Sequence, residues 1–240
     1  MKIKVIPNPK KDWALGVAKE VEQLVKSRGH TVSKKDADVT ICIGGDGTIL
    51  YVNHKGKISG SVLAIGSDSS HICQLHINTW KDMIFAYLGS GKTEEYVMLK
   101  ASVGIKDYSV LNDVVIHTHD YRTIKLDVHI VTYKKGPTTL LLNPFEGDGV
   151  IVSTAIGSTA YAYSAGGEVI LPQTSELIEV VPICPYKRRF KPISIDKESD
   201  ITISSDRTAD FIVDGIYIKR LKENENVKVT YGKMISFLIK

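Results

Sequence analysis

GDGVIVSTAIGSTAYAYSAGG, residues 147–167 of a 240-residue chain, is a dense run of backbone instructions. Val150, Ile151 and Val152 favour a strand. Gly157 permits a φ that other residues resist, and Ser158 or Thr159 can cap a helix continuing from Ala160 to Ala165. Gly166-Gly167 then stops that helix. A helix N-terminus behind a buried strand offers unpaired N–H groups and a positive dipole end, which suit an anionic or amide-rich ligand. Tyr161 and Ser164 stand three apart and share a face, whereas Tyr163 points elsewhere. Asp148 lies between two glycines, where an acid has little purpose unless its carboxylate is used. Strand, glycine turn and helix recur throughout α/β proteins, so the pattern alone does not assign a site.

Outward from this stretch, the chain divides near Gly91. Residues 1–93 alternate strand and helix, which implies a parallel sheet covered by helices. Lys2 to Ile6 reads as a strand; Asp12 caps a helix with Leu15, Ala18, Val21 and Val25 at a period near 3.6, ended by Gly29. Val39 to Ile43 is a buried-type strand, Ile49 to about His54 a short helix, and Val62 to Ile65 another strand. Thr79-Trp80-Lys81-Asp82 resembles a capping box for a helix from Trp80 to Leu88. Residues 94–240 are strand-rich. Leu126, Val128 and Ile130 alternate with Lys125, Asp127 and His129, as in a half-solvated antiparallel strand. Similar segments run over Val97 to Ile105, Leu111 to Thr118, Ile201 to Ser205, Phe211 to Ile218 and Val227 to Tyr231. The expected fold is therefore an α/β N-terminal domain with a parallel sheet, plus a β-rich, mostly antiparallel C-terminal domain with an inserted helix.

Composition narrows the function classes. The formal net charge is +4 and dispersed, so no nucleic-acid partner is expected. Cys42, Cys73 and Cys184 are odd in number and widely spaced, which argues against a disulfide framework and for a reducing compartment. No run approaches a membrane span and the N-terminus lacks an apolar leader, so a cytoplasmic protein without membrane association is expected.

Gly44-Gly45-Asp46-Gly47-Thr48 follows a buried strand, where open α/β sheets bind ligands. Its glycines let backbone amides approach phosphates, and Thr48 can cap the helix behind. Asp46 would repel bare phosphate, so it reads as a base or as a contributor to a Mg²⁺ site. A simple tight turn with Asp46 as a solvated cap is the plain alternative. Neither GxGxxG nor GxxxxGK[ST] is present.

Taken in order, Gly44-Gly45-Asp46-Gly47-Thr48, Asn112-Asp113, Gly147-Asp148-Gly149, Gly157-Ser158-Thr159-Ala160-Tyr161 with Ser164 and Gly166-Gly167, and Val213-Asp214-Gly215 resemble the NAD kinase family over essentially the whole length. Pro182-Ile183-Cys184-Pro185 adds to the resemblance. It implies transfer of the γ-phosphate of ATP, or a phosphate of polyphosphate, to the 2′-hydroxyl of the adenosine ribose of NAD. On that analogy Asp46 is the general base, and Gly44, Gly45, Gly47 and Thr48 bind the donor phosphates. Asp46, Gly47, Asn112, Asp113, Asp148, Thr159, Ala160, Tyr161, Ser164 and Asp214 bind NAD. Thr159 and Ala160 meet the adenine edge, Tyr161 packs on the ring, and Asp148 and Ser164 reach the nicotinamide amide. Mg²⁺ or another divalent cation would accompany ATP, with no tightly bound organic cofactor. The resemblance also implies a homodimer or homotetramer, with a cross-subunit contact around Asp214.

Four features depart from the family pattern. Asp113 stands where Glu is usual, Ala155-Ile156 replaces Pro-Thr or Pro-Ser, residues 67–75 match only loosely, and the C-terminal helix of many relatives is missing. The GGDG turn also occurs in lipid and other small-alcohol kinases, and a non-catalytic dinucleotide-binding regulator is a further alternative. His71, Cys73 and His76, or His117 and His119, fit no standard zinc spacing, so no protein-held metal is expected. Lys187-Arg188-Arg189 reads as a solvated loop, and Trp13 and Trp80 as packing residues.

Overall fold

The computed structural model describes residues 1–133, 136–188 and 190–240, with the backbone alone for 140–143. Two compact units emerge, Met1–Glu95 with Ile235–Lys240, and Tyr96–Met234. The last six residues thus join the first unit, although the sequence pattern groups them with the second.

The first unit starts with β1 (Lys2–Pro7), α1 (Asp12–Ser27), β2 (Thr31–Val32), β3 (Val39–Ile43) and α2 (Asp46–His54). β4 (Ser61–Gly66), β5 (Leu75–His76) and α3 (Trp80–Ser90) follow. Strand pairing is parallel throughout, with β1 between β2 and β3, β3 beside β4, and Phe237 of the chain's last strand opposite Val62. β3 reads VTICI and is buried at every position, as a central parallel strand covered on both faces must be. α1 presents Ala14, Ala18, Val21 and Val25 to that sheet. Leu15, expected on this face, is 39% exposed; the i, i+4, i+7, i+11 row begins at Ala14 instead. Gly29 (φ +78°) terminates α1, with its own N–H donated to the Lys26 carbonyl and that of His30 to the Val25 carbonyl. α3 starts at Trp80 as expected, but Thr79 makes no side-chain cap bond, so the capping box is not formed.

The second unit opens on β6 (Lys92–Val103), whose first residues lie before the division, and β7 (Lys106–Val110), an antiparallel pair. β8 (Asp113–Thr118), β9 (Ile124–Thr132), β10 (Thr138–Gly147) and β11 (Gly149–Thr154) precede α4 (Tyr161–Ser164). β12 (Leu177–Ile183), β13 (Ile193–Asp196), β14 (Asp200–Ser205), β15 (Ala209–Val213), β16 (Ile216–Leu221) and β17 (Val227–Ile239) complete the order. One sheet runs β13-β12-β11-β8-β15-β16, antiparallel at each junction. β9 pairs antiparallel with both β10 and β14, and β14 with the first half of β17. Phe211–Ile218, read as one strand, is a hairpin of two, because Asp214 (φ +50°) and Gly215 (φ +74°) turn the chain.

Between these layers lies a core that includes Val114, Ile116, Leu126, Val128, Val150, Val152, Val180 and Phe211. Each such side chain contributes about 1.5–3 kcal/mol on burial. The alternate residues of the six-stranded sheet, Val115, Ile151, Val181 and Ile183, face the other way and pack with Ala162 of α4. That second covering explains why GVIVST is buried along its whole length. The fold class therefore agrees with the sequence: an α/β unit with a parallel sheet and a β-rich, mostly antiparallel unit with a short inserted helix.

Candidate active site

In the first unit, the site is built on the turn between β3 and α2. Gly44 (φ +142°) and Gly45 (φ +98°) occupy conformations that favour glycine, and a Cβ on Gly44 would lie 2.5 Å from Thr48 Oγ1. α2 begins at Asp46 itself, three residues earlier than the sequence implies. Thr48 is consequently buried inside the first turn rather than capping it, and its Oγ1 accepts a hydrogen bond from Asn8 Nδ2 at 3.2 Å. Lys11 Nζ donates to the Gly44 carbonyl at 2.6 Å. A cavity of about 400 Å³ beside this turn is lined by Asn8, Pro9, Lys10, Gly47, Thr48 and Tyr51 among others.

The Asp46 carboxylate is held from one side. It accepts the backbone N–H of His71 at 2.7 Å and of Ile72 at 3.0 Å, and the Cys73 thiol at 3.5 Å. Burial, followed by the Asp46 charge, pushes the Cys73 thiol up to about 12, so it remains a protonated donor at neutral pH. The loop of residues 67–74 therefore aims the candidate base through main-chain amides, a use that side-chain identity does not advertise. Beyond the loop, His76 Nε2 meets Asp68 Oδ1 at 2.7 Å. Among the described residues no group of three or more His, Cys, Asp or Glu could hold a metal ion.

In the second unit, Asn112, Asp113 and Asp214 meet where β8 begins and β15 ends, beside the end of β11, whereas Asp148 precedes the other end of β11, next to Thr118. Asp214 is 5% exposed, and its carboxylate accepts the N–H groups of Leu111 (3.0 Å), Asn112 (2.7 Å) and Asp113 (3.2 Å). Its own N–H bonds the Asp113 carbonyl. Asp214 thus lies behind the Asn112-Asp113 pair and fixes its backbone. Asn112 Oδ1 is buried without a hydrogen-bond partner, an acceptor left open for a ligand donor. Burial, and after it the Asp214 charge, pushes Asp113 up to about 7.

Gly157 is needed for close approach, not for an unusual φ. A Cβ there would stand 2.2 Å from the Asn112 carbonyl oxygen. Residues 157–159 form a single 3₁₀ turn rather than a helix start, and α4 follows from Tyr161 for four residues. Neither Ser158 nor Thr159 caps it: Ser158 Oγ donates to the Ala155 carbonyl and Thr159 Oγ1 to that of Ile156. So short a helix has no appreciable dipole, and the anion-site reading of its N-terminus falls away. Ile156, which stands where a hydroxyl residue is usual, is 2% exposed and belongs to the interior.

Burial raises the Tyr161 phenol, and the charges of Cys184, Asp113 and Asp148 raise it further, which puts these four groups in one neighbourhood. Asp148 also receives a hydrogen bond from Cys184, whose backbone is left-handed (φ +45°). Ser164 is exposed on α4, and Ala160 precedes it partly buried. Of the basic cluster, Lys187 and Arg188 are exposed with left-handed backbone, whereas Arg189 lies outside the described residues.

Comparison with known proteins returns one family throughout. A family model described as the ATP-NAD kinase C-terminal domain matches residues 111–240. The NAD kinase of Prosthecochloris aestuarii is 30% identical over 275 aligned positions, covering 100% of this chain and 91% of that protein. The NAD kinase of Thermoplasma acidophilum is 29% identical over 226 positions, 92% of this chain and 80% of its own length. Among solved structures, an NAD kinase from Archaeoglobus fulgidus in complex with ATP shares the fold with a TM-score of 0.84 at 23% identity, covering 100% of this chain and 94% of that one. Yeast NADH kinase complexed with NADH gives the same TM-score at 19% identity, covering 100% and 83%.

Proposed function

The chain belongs to the NAD kinase family, and from that premise we propose the assignment of its residues to the steps of NAD phosphorylation. The protein is an enzyme, a kinase acting on NAD. In the reaction we assign, Asp46 accepts the proton of the adenosine 2′-hydroxyl as that oxygen bonds the γ-phosphorus of ATP. The bond from the γ-phosphorus to the bridging oxygen breaks, and ADP leaves with NADP as the other product. A carboxylate offers about four lone-pair sites. The amides of His71 and Ile72 use part of that capacity and fix the carboxylate's direction, which is the observation that carries the assignment. Positioning of this kind supplies most of the rate in phosphoryl transfer.

Gly44, Gly45, Gly47 and Thr48 are assigned to the donor phosphates, supported by the glycine-only backbone at the turn and by the adjoining cavity. Asn8 and Lys10 join them; nothing in the sequence had singled them out. Only one carboxylate, Asp46, stands at this turn. That fits a divalent cation, Mg²⁺ foremost, arriving on the phosphates of ATP rather than in a protein cage. When bound, the cation would neutralise charge on those phosphates.

Asn112, Asp113, Asp148, Thr159, Ala160, Tyr161 and Ser164 are assigned to NAD, with the unpaired Asn112 Oδ1 as support. Asp214 is assigned to the same site through the loop it holds. Self-association as a dimer or tetramer enters this reading from the family resemblance. A cytoplasmic location is part of the same reading; among the described residues no helix is long and apolar enough to cross a membrane. Lipid or other small-alcohol acceptors and a non-catalytic regulator are not favoured by the relatives. The test is incubation of purified protein with NAD, ATP and Mg²⁺, the product read through an NADP-specific dehydrogenase. NADP is expected; binding of NAD without any product would overturn the assignment.

A further inference from the structure

Glu179 takes no part in the chemistry assigned above, yet it is an acid buried to 1% exposure in the middle of β12. Acids are almost never fully buried without a purpose. On β12, Ile178 and Val180 point into the main core, so Glu179 shares the opposite face with Val181 and Ile183, the face on which Ala162 of α4 packs. Its Oε1 accepts the Glu168 N–H at 2.8 Å, two residues beyond the Gly166 turn that ends α4. Its Oε2 is buried without a hydrogen-bond partner and faces Gly167. A Cβ on Gly167 would stand 2.7 Å from that oxygen and 2.9 Å from the Ala162 carbonyl.

We infer that Glu179 is the positioning residue for α4, and through it for Tyr161 and Ser164. Four residues are too few for a helix to hold itself. The entry to α4 follows a 3₁₀ turn fixed by Ser158 and Thr159, and Ser158 Oγ also accepts the Ile170 N–H at 2.9 Å. Glu179 supplies the remaining tie, at the exit. The space left by Gly167 lets its carboxyl reach under the turn. Burial favours the neutral form of this carboxyl, against the opposing pull of the Glu168 amide, and a neutral carboxyl keeps the Oε1 acceptor that the amide needs.

The inference rests on the assignment of α4 to NAD, and the test separates the two. Steady-state kinetics of the full chain would compare wild type with Glu179→Ala, Glu179→Asp and Glu179→Gln, alongside NAD affinity by calorimetry without ATP. Removing the acceptor leaves a part-buried N–H without its partner, and Glu179→Ala should raise the KM and Kd for NAD about tenfold. The KM for ATP should stay within about twofold and kcat fall little, as for a loss of ground-state binding. Glu179→Gln, which preserves the acceptor and the shape, should restore most of the affinity. Should Glu179→Ala not fold, Glu179→Asp, one methylene short of Glu168, carries the same expectation. An unchanged KM for NAD in the Ala and Asp variants would overturn the inference, as would equal losses in the NAD, ATP and kcat terms. A wild type that makes no NADP would instead overturn the function itself.

Discussion

Burial and the neighbouring Asp214 charge hold Asp113 up to about 7, against an ordinary value of 3.8. A carboxyl raised on folding keeps its proton in the native state, so its share of stability is full below about pH 4 and is lost as pH rises towards 7. Asp113→Asn removes that dependence. The melting temperature of the variant minus that of the wild type should therefore be more positive at pH 8 than at pH 5, in parallel thermal melts. A difference constant with pH would show that Asp113 is not raised. The titratable groups acting around it are Asp214 and Tyr161, the latter in turn beside Asp148 and Cys184. The candidate residues that the sequence offered are those whose chemistry would be carried by the side chain, as at Asp46, Asn112 and Tyr161. Where the main chain does the work the sequence offers no signal, since the amides of His71 and Ile72 that hold Asp46 are common to every residue; Glu179 lies in β12, a strand the sequence did not suggest. Asp214 was visible as an acid in a Val-Asp-Gly turn, but its inward direction depends on a left-handed backbone that spacing does not reveal.

Elements were recovered best where period and punctuation agree. α1 and β3 were found to within a few residues because a 3.6 period ended by Gly29 marks the one and an apolar run the other, whereas α3 was placed from a capping box that does not form. The segment after β11 was misread because Gly157 was credited with conformational freedom. Its real constraint is a neighbour 45 residues away, the Asn112 carbonyl, which only the tertiary fold supplies. Gly157→Ala is accordingly expected to lose about 1–3 kcal/mol through forced backbone movement, and to weaken NAD binding because Asn112 moves with it. Gly16 lies within α1 with nothing within 4 Å of a would-be Cβ. Gly16→Ala should gain about 0.5–1 kcal/mol from helix propensity alone. Urea titrations of the two variants check both; opposite signs are the expected result, and equal effects would refute the distinction between a packed and a merely helical glycine. Strands β7, β10, β12 and β13 escaped the sequence: Pro144 and a register shift interrupt β10, Pro182 lies in β12, and β7 and β13 are only five and four residues long.

For the whole molecule, the alternation of strand and helix followed by repeated strands announced two units and their classes. It did not show that the chain's end returns to the first unit, since residues 94–240 were grouped together and the last strand was read only to Tyr231. Assembly belongs to this scale as well: light scattering on the eluting protein should give two or four times the 26.5 kDa chain, and a single-chain mass would contradict the self-association proposed. Asp46 remains the residue on which the functional account turns. A positioned base contributes typically about 10²–10⁴-fold to rate, and asparagine at 46 keeps an oxygen for one of the two loop amides while losing the ability to take a proton. The most direct measurement is kcat for NADP formation at saturating NAD and ATP by wild type and Asp46→Asn, with melting temperatures beside them. The account predicts turnover by the wild type and a loss of about 10²–10⁴-fold in a variant that melts like it; a folded Asp46→Asn that retains most of the wild-type turnover would contradict it.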